Sequence, residues 1–164
     1  MREKTSEKDK ETLSCPPGAP VKIRSGPAGA WVGGKETILL VDDEAVIAEI
    51  TKEILEMLGY RTLLAGSGQE AISVFTEKHA AINLVILDMV MPGMSGAKVF
   101  EALRSLKPDI KIIVYSGYFI NDEIQSLLDR GGCEFIQKPF SIEALSEKIR
   151  EMMDPSLKGG GDIR

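Results

Sequence analysis

Four short apolar runs, each closed by a reactive side chain, constrain this chain more than any other feature. Ile38-Leu39-Leu40-Val41 runs into Asp42-Asp43, and Leu84-Val85-Ile86-Leu87 runs into Asp88. Ile112-Ile113-Val114-Tyr115 runs into Ser116, and Phe135-Ile136-Gln137 runs into Lys138-Pro139. Short continuous apolar runs separated by helix-length segments read as parallel strands buried on both faces. Parallel strands point one way, so their ends meet at one edge, where open α/β sheets hold their ligands. Three carboxylates, a hydroxyl and an ammonium would share one small site there. Such a donor set suits a divalent cation and a phosphoryl group.

The segments between the runs carry the helical period. Val46, Ile50, Ile54 and Leu58 repeat at helical spacing, with Ile47 and Leu55 widening the stripe, and Gly59 ends that helix. Ser67-Gly68-Gln69-Glu70 is a capping-box pattern that opens a second helix through Ile72 and Phe75. Met91-Pro92-Gly93-Met94-Ser95-Gly96 reads as a loop. Val99, Leu103 and Leu106 mark a third helix that stops before Pro108. Ile120, Ile124, Leu127 and Leu128 mark a fourth, ended by Gly131-Gly132, and Ile142, Leu145, Ile149 and Met152 mark a fifth. With strands at 37–41, 61–65, 84–87, 110–115 and 134–137, strand and helix alternate five times. That alternation implies an α/β class, a doubly wound five-stranded parallel sheet with helices on both faces, in three αβα layers.

The domain is expected over residues 36–153. Residues 1–35 read as a flexible linker or tail, because charges and Pro-Gly pairs there cannot bury enough surface to offset the cost of ordering. Trp31 stands out in it and could dock on a neighbouring domain. Residues 154–164 read as a flexible Gly-rich C-terminal tail. Charge is divided: residues 1–35 carry seven basic and four acidic side chains, the remainder thirteen and twenty-one. An acidic domain gives no electrostatic footprint for nucleic acid. Cys15 and Cys133 form no C-x-x-C and fit a reduced compartment. There is no apolar leader segment and no stretch near the ~20 residues a membrane span needs. A cytoplasmic module is the expectation.

Asp42-Asp43, Asp88, Ser116 and Lys138-Pro139, in this order on successive strand ends, resemble the receiver domain of bacterial response regulators, over roughly residues 36–153. The resemblance implies a flavodoxin-like sheet order of 2-1-3-4-5. It implies that Asp88 is the phosphoacceptor, taking a phosphoryl group from a phosphohistidine with Mg²⁺ as cofactor. Asp43, Asp88 and the backbone carbonyl of Val90 would bind the metal directly, and Asp42 mostly through a water. Lys138 would contact the phosphoryl group, and Ser116 would close onto one of its oxygens. Phe135 stands at the family's switch-aromatic position, and the Lys138–Pro139 bond would be cis. Tyr118, two residues past Ser116, would lie near the mouth of the site and slow water's approach. The implied partners are a histidine kinase or histidine phosphotransfer protein, and an output partner at the face of the fourth helix, fifth strand and fifth helix. A homodimer on phosphorylation is also among the implied assemblies; nucleic acid and membrane are not.

Simpler readings stand beside this one. Acids at strand ends are commonly solvated loop residues or helix caps. Phe135 could be a static core aromatic, and Cys133 a small buried residue. His79 reads as a surface residue, and Met89, Met91 and Met94 as loop packing, since thioethers do not suit a hard ion. A phosphohydrolase resembling the haloacid dehalogenase superfamily would also phosphorylate an aspartate at a strand end. It would need a second acid two residues later, where this chain has Val90. A degenerate receiver would lack one of the acids or the lysine, and all are present. The expectation is a signalling domain that modifies its own Asp88, with no separate turnover. The segment from Gly33 to Glu44 resembles the junctions of hybrid sensor kinases, so a C-terminal receiver of such a kinase and a free single-domain regulator both remain open.

Overall fold

The apolar runs pair as one parallel sheet. The computed structural model describes residues 22–24, 30–154 and 156, with side chains from residue 33. In chain order the elements are β1 (Lys22–Arg24), β2 (Ala30–Val32), β3 (Thr37–Val41), α1 (Ala45–Met57), β4 (Arg61–Ala65) and α2 (Gly68–Lys78). They continue with β5 (Ile82–Asp88), α3 (Gly96–Leu106), β6 (Lys111–Ser116), α4 (Asp122–Leu128), β7 (Cys133–Gln137) and α5 (Ile142–Met153). The main sheet has the order β4-β3-β5-β6-β7, all parallel. Counted from β3, that is the expected 2-1-3-4-5.

Strand alternation divides the core into two layers. Leu39, Val41, Val85, Leu87, Ile112 and Val114 face α2, α3 and α4, where Phe75, Phe100 and Leu103 meet them. Ile38, Leu40, Leu84, Ile86, Ile113 and Tyr115 face α1 and α5, against Leu55, Leu145 and Ile149. Burying each large apolar side chain contributes about 1.5–3 kcal/mol. The sheet is thereby fixed in one register, since a slip of one residue would exchange the two faces. Caps set several helix starts. Ser67 Oγ accepts from Glu70 N–H at 3.2 Å, while the Glu70 carboxylate accepts from Gly66 N–H at 2.8 Å. Asn121 Oδ1 accepts from Ile124 N–H at 2.9 Å, so α4 begins at Asp122 and Ile120 lies in the exposed loop before it.

Two further expectations change. Of the expected α1 stripe, Leu55 and Leu58 are buried and Ile54 packs against the core, but Val46 and Ile50 are exposed, and Ala48 and Thr51 are buried in the first turns instead. This helix is apolar around most of its circumference, so periodicity could not select the face that packs. The second change lies in residues 1–35. Residues 1–21 and 25–29 lie outside the described residues, as do Pro155, residues 157–164 and the side chain of Trp31. Within the described part, β1 and β2 pair antiparallel. Gly33 and Gly34 are buried, and Gly34 N–H donates to Leu58 C=O at 3.1 Å. A Cβ on Gly33 would lie 1.7 Å from the Leu58 carbonyl oxygen, so the close approach needs glycine. Packing on the domain is therefore already in place at Gly33 and Gly34, ahead of the expected boundary at Glu36.

Candidate functional site

The carboxyl edge of the sheet collects the predicted side chains. Asp88 is the last residue of β5 and Ser116 the last of β6. Asp42 and Asp43 follow β3, and Lys138 follows β7. Asp42 N–H donates to Ala65 C=O at 3.1 Å, and Lys138 N–H to Ser116 C=O at 2.8 Å, so neighbouring strands hold both loops. Carboxylate oxygens of Asp42, Asp43 and Asp88 lie within 4.8 Å of one another. Lys138 Nζ sits 3.0 Å from Asp88 Oδ2 and 3.1 Å from Asp42 Oδ2, with Glu44 4.0 Å away. Asp42 and Asp88 are buried and Asp43 is exposed. The Lys138–Pro139 peptide bond is cis.

The electrostatics follow from burial and charge imbalance. Burial pushes the Asp88 carboxyl up, and the Val90 N–H, which donates to Asp88 Oδ1 at 2.9 Å, and Lys138 only partly offset this. For Lys138, burial works against the ammonium, but Asp88 and Asp42 outweigh it and hold the lysine above its ordinary value. One ammonium faces three carboxylates, so the edge keeps an excess of negative charge. The donors are all hard oxygens at close range, which fits a small divalent cation and suits no soft metal. A cation there would relieve the repulsion that otherwise raises proton affinity among clustered carboxylates.

The other predicted residues take up distinct places. Ser116 is buried, and its Oγ accepts from Tyr118 N–H at 3.1 Å. Tyr118 is 70% exposed and leads Phe119 and Ile120 along an apolar loop at the surface. Phe135 is half-buried on β7, in register with Val114, and packs against the core layer of α2, α3 and α4. Val90 is exposed two residues past Asp88.

Sequence reasoning missed two features. The first is Tyr115, fully buried, the register partner of Asp88. Its hydroxyl donates a short hydrogen bond to Asp42 Oδ2, and Lys138 Nζ stands 4.2 Å from the centroid of its ring. Phe140 meets the ring edge-on at 6.1 Å. Burial and the hydrogen bond to Asp42 push the phenol far up, so it remains a donor. The available signal was strand alternation, which puts residue 115 on the face of Asp88 and leaves Ser116 on the other. The second is a groove of about 340 Å³ between α1 and the loop after β7, lined by Ile47, Ile50, Ile54, Lys138, Pro139 and Phe140. Its apolar residues on α1 were read as core.

The chain is similar to known proteins over most of its length. Residues 38–150 match the family model described as the response regulator receiver domain. A probable transcriptional regulator of Porphyridium aerugineum is 38% identical over 120 residues, covering 73% of this chain and 48% of that protein. The sensor kinase CckA of Brucella abortus is 34% identical over 123 residues, covering 75% of this chain and 13% of the kinase. The chain thus spans about half or less of the length of these relatives. Among solved structures, the response regulator TrrA of Thermotoga maritima, in complex with Mg(2+)-BeF, superposes with a TM-score of 0.62 at 37% identity. That match covers 71% of this chain and 98% of TrrA.

Proposed function

The chain belongs to the response regulator receiver domain family, the phosphoryl-accepting domain of two-component signalling, and on that premise we propose that Asp88 takes its phosphoryl group from a phosphohistidine, with Mg²⁺ held by the acid cluster. The observation that carries this reading is the placement of Lys138 Nζ 3.0 Å from Asp88 Oδ2. Two further carboxylates lie within 4.8 Å. The Asp88 carboxylate attacks phosphorus as the P–N bond of the donor imidazole breaks. The imidazole leaves with that electron pair, and an acyl phosphate remains on Asp88. Bound Mg²⁺ supplies positive charge to the transferring phosphoryl oxygens. Asp43 and Asp88 would hold the cation together with the Val90 carbonyl, and Asp42 would act through a water. Lys138 stabilises the charge that gathers on the group in transfer.

Ser116 and Phe135 form the proposed switch. A phosphoryl oxygen gives the Ser116 hydroxyl a new acceptor. Its movement vacates volume on the core face that Phe135 shares, two residues along the neighbouring strand. Such contacts bias a pre-existing equilibrium between two packings. The affected surface is α4, β7 and α5, which we assign to an output partner or a second copy of this chain. The apolar groove beside Lys138 is the surface offered to a histidine kinase or phosphotransfer protein. Tyr118 is assigned to shielding the acyl phosphate from water. The chain modifies itself, and Val90 stands where a phosphohydrolase would need its second acid. Among the described residues no helix is long and apolar enough to cross a membrane, and we assign the module to the cytoplasm, as part of a hybrid kinase or as a free regulator.

Acetyl phosphate with Mg²⁺ should add one phosphoryl group to the chain by intact mass, and Asp88→Asn should take none. Equal labelling of that variant would refute the acceptor assignment. Beryllofluoride should change amide exchange across residues 117–140, and unchanged protection there would remove the switch.

A further inference from the structure

Among the described residues, the Tyr115 hydroxyl is the neutral side-chain donor on the acid cluster, and it gives Asp42 one partner more than Asp88 has. Asp42 Oδ1 accepts from Glu44 N–H at 2.8 Å. Asp42 Oδ2 accepts from Lys138 Nζ at 3.1 Å and from the Tyr115 hydroxyl. A carboxylate offers about four lone-pair sites, so three of those on Asp42 are filled. Each hydrogen bond also stabilises the anion and weakens it as a ligand. The ring acts on the other charge. Its face lies 4.2 Å from Lys138 Nζ, within cation–π range. The ring cannot drift, because it is fully buried on β6 and has Phe140 against its edge.

We infer that Tyr115 is a positioning residue of the phosphoryl site: its hydroxyl occupies Asp42 and so loosens the pocket's hold on a divalent cation, while its ring keeps Lys138 aimed at Asp88. This rests on the receiver reading for the identity of the site and adds a residue that tunes it. Because the hydroxyl acts through Asp42, its effect on cation affinity must disappear when Asp42 cannot respond. Because the ring acts through Lys138, its effect must appear in transfer at saturating metal, beyond any change in affinity.

The test titrates Mn²⁺ into the full chain by calorimetry, with no phosphoryl donor present. Tyr115→Phe keeps the ring and its packing and removes one of the two donors on Asp42 Oδ2. Mn²⁺ should then bind about three- to tenfold more tightly. A dissociation constant within about twofold of the parent's, or a weaker one, overturns the role of the hydroxyl. In an Asp42→Asn background the same substitution should shift Mn²⁺ affinity by less than about twofold, and a full-sized shift overturns the route through Asp42. For the ring, Tyr115→Leu should take phosphate from acetyl phosphate at saturating Mg²⁺ about tenfold more slowly than Tyr115→Phe. Equal rates remove the ring from the account. Should the leucine variant not fold, Tyr115→Met takes its place in the rate comparison, and a rate equal to that of Tyr115→Phe removes the ring in the same way. A parent chain that binds Mn²⁺ but never gains a phosphoryl group would sink the receiver reading alone, leaving the Mn²⁺ arms to judge Tyr115.

Discussion

The two ends of the same five strands handle charge in opposite ways. At the amino edge, cations meet matched partners. Arg150 bonds Glu36 at 2.7 Å and the Tyr60 hydroxyl at 3.0 Å, and its guanidinium stands over the Tyr60 ring. Arg104 caps the carbonyls of Pro108 and Gly131 at 2.9 and 2.7 Å. Lys107 reaches the His79 and Ile82 carbonyls, and Lys111 that of Met153. At the carboxyl edge, one lysine faces three acids, two of them buried. The amino edge ties chain segments together. The carboxyl edge keeps unbalanced charge in place, which weakens the fold there and makes the site ready for a cation and a phosphoryl group.

Removing Lys138, the one cation on the acid cluster among the described residues, should give the largest effect. Lys138→Met should slow phosphoryl uptake roughly a hundredfold or more. It should also cost about 3 kcal/mol of stability in metal-free buffer, because Asp42 and Asp88 are left buried without a counter-charge. Mass-resolved labelling rates and urea melts measure both, and an uptake rate within threefold of the parent's would contradict the proposed contact.

At the other edge, a methyl group should separate stability from chemistry. Gly33→Ala would force the chain off the Leu58 carbonyl and should destabilise the domain by about 1–3 kcal/mol, with phosphoryl uptake unchanged. A urea midpoint equal to the parent's would return this segment to the linker.

The smallest effects should differ in sign with pH. For Glu36, burial opposes ionisation, but the Arg150 hydrogen bond and charge outweigh it and lower its pKa below 4.5. A lowered folded value means stability that is present above 4.5 and lost as pH falls through the folded pKa. Glu36→Gln should therefore cost about 1 kcal/mol near neutrality, after allowance for solvent screening, and nothing in strong acid. Asp88 is raised above 3.8, chiefly by burial. Its ionisation costs stability that is absent below 3.8 and fully present once pH exceeds the folded value. Asp88→Asn should thus melt higher than the parent near neutrality in metal-free buffer and equal it in acid. Parallel pH profiles for the two variants would erase the contrast between the edges.

The apolar runs and the acids that end them were readable because a fully buried parallel strand leaves a continuous apolar signature and stops where polar groups begin. Strand direction therefore puts Asp42, Asp43, Asp88, Ser116 and Lys138 at one edge from the sequence alone. Val46 and Ile50 do not belong to the buried stripe of α1, for the converse reason. A helix with apolar residues on several faces has no unique phase, and only packing against the sheet buries Ala48, Thr51 and Leu55 while leaving Val46 and Ile50 outside. Gly33-Gly34 looked like linker because glycine is equally at home in a mobile segment and in a contact too close for a side chain.

By itself the sequence determined the five strands of the main sheet, their alternation with helices and the charges that meet at the carboxyl edge, because each of these follows from local periodicity and chain direction. Tertiary structure alone decided which face of α1 packs, that Arg150 closes onto Glu36 across the chain, and that Tyr115 reaches Asp42. Those outcomes depend on the register between strands far apart in sequence, and register is set by how two core layers fill space together.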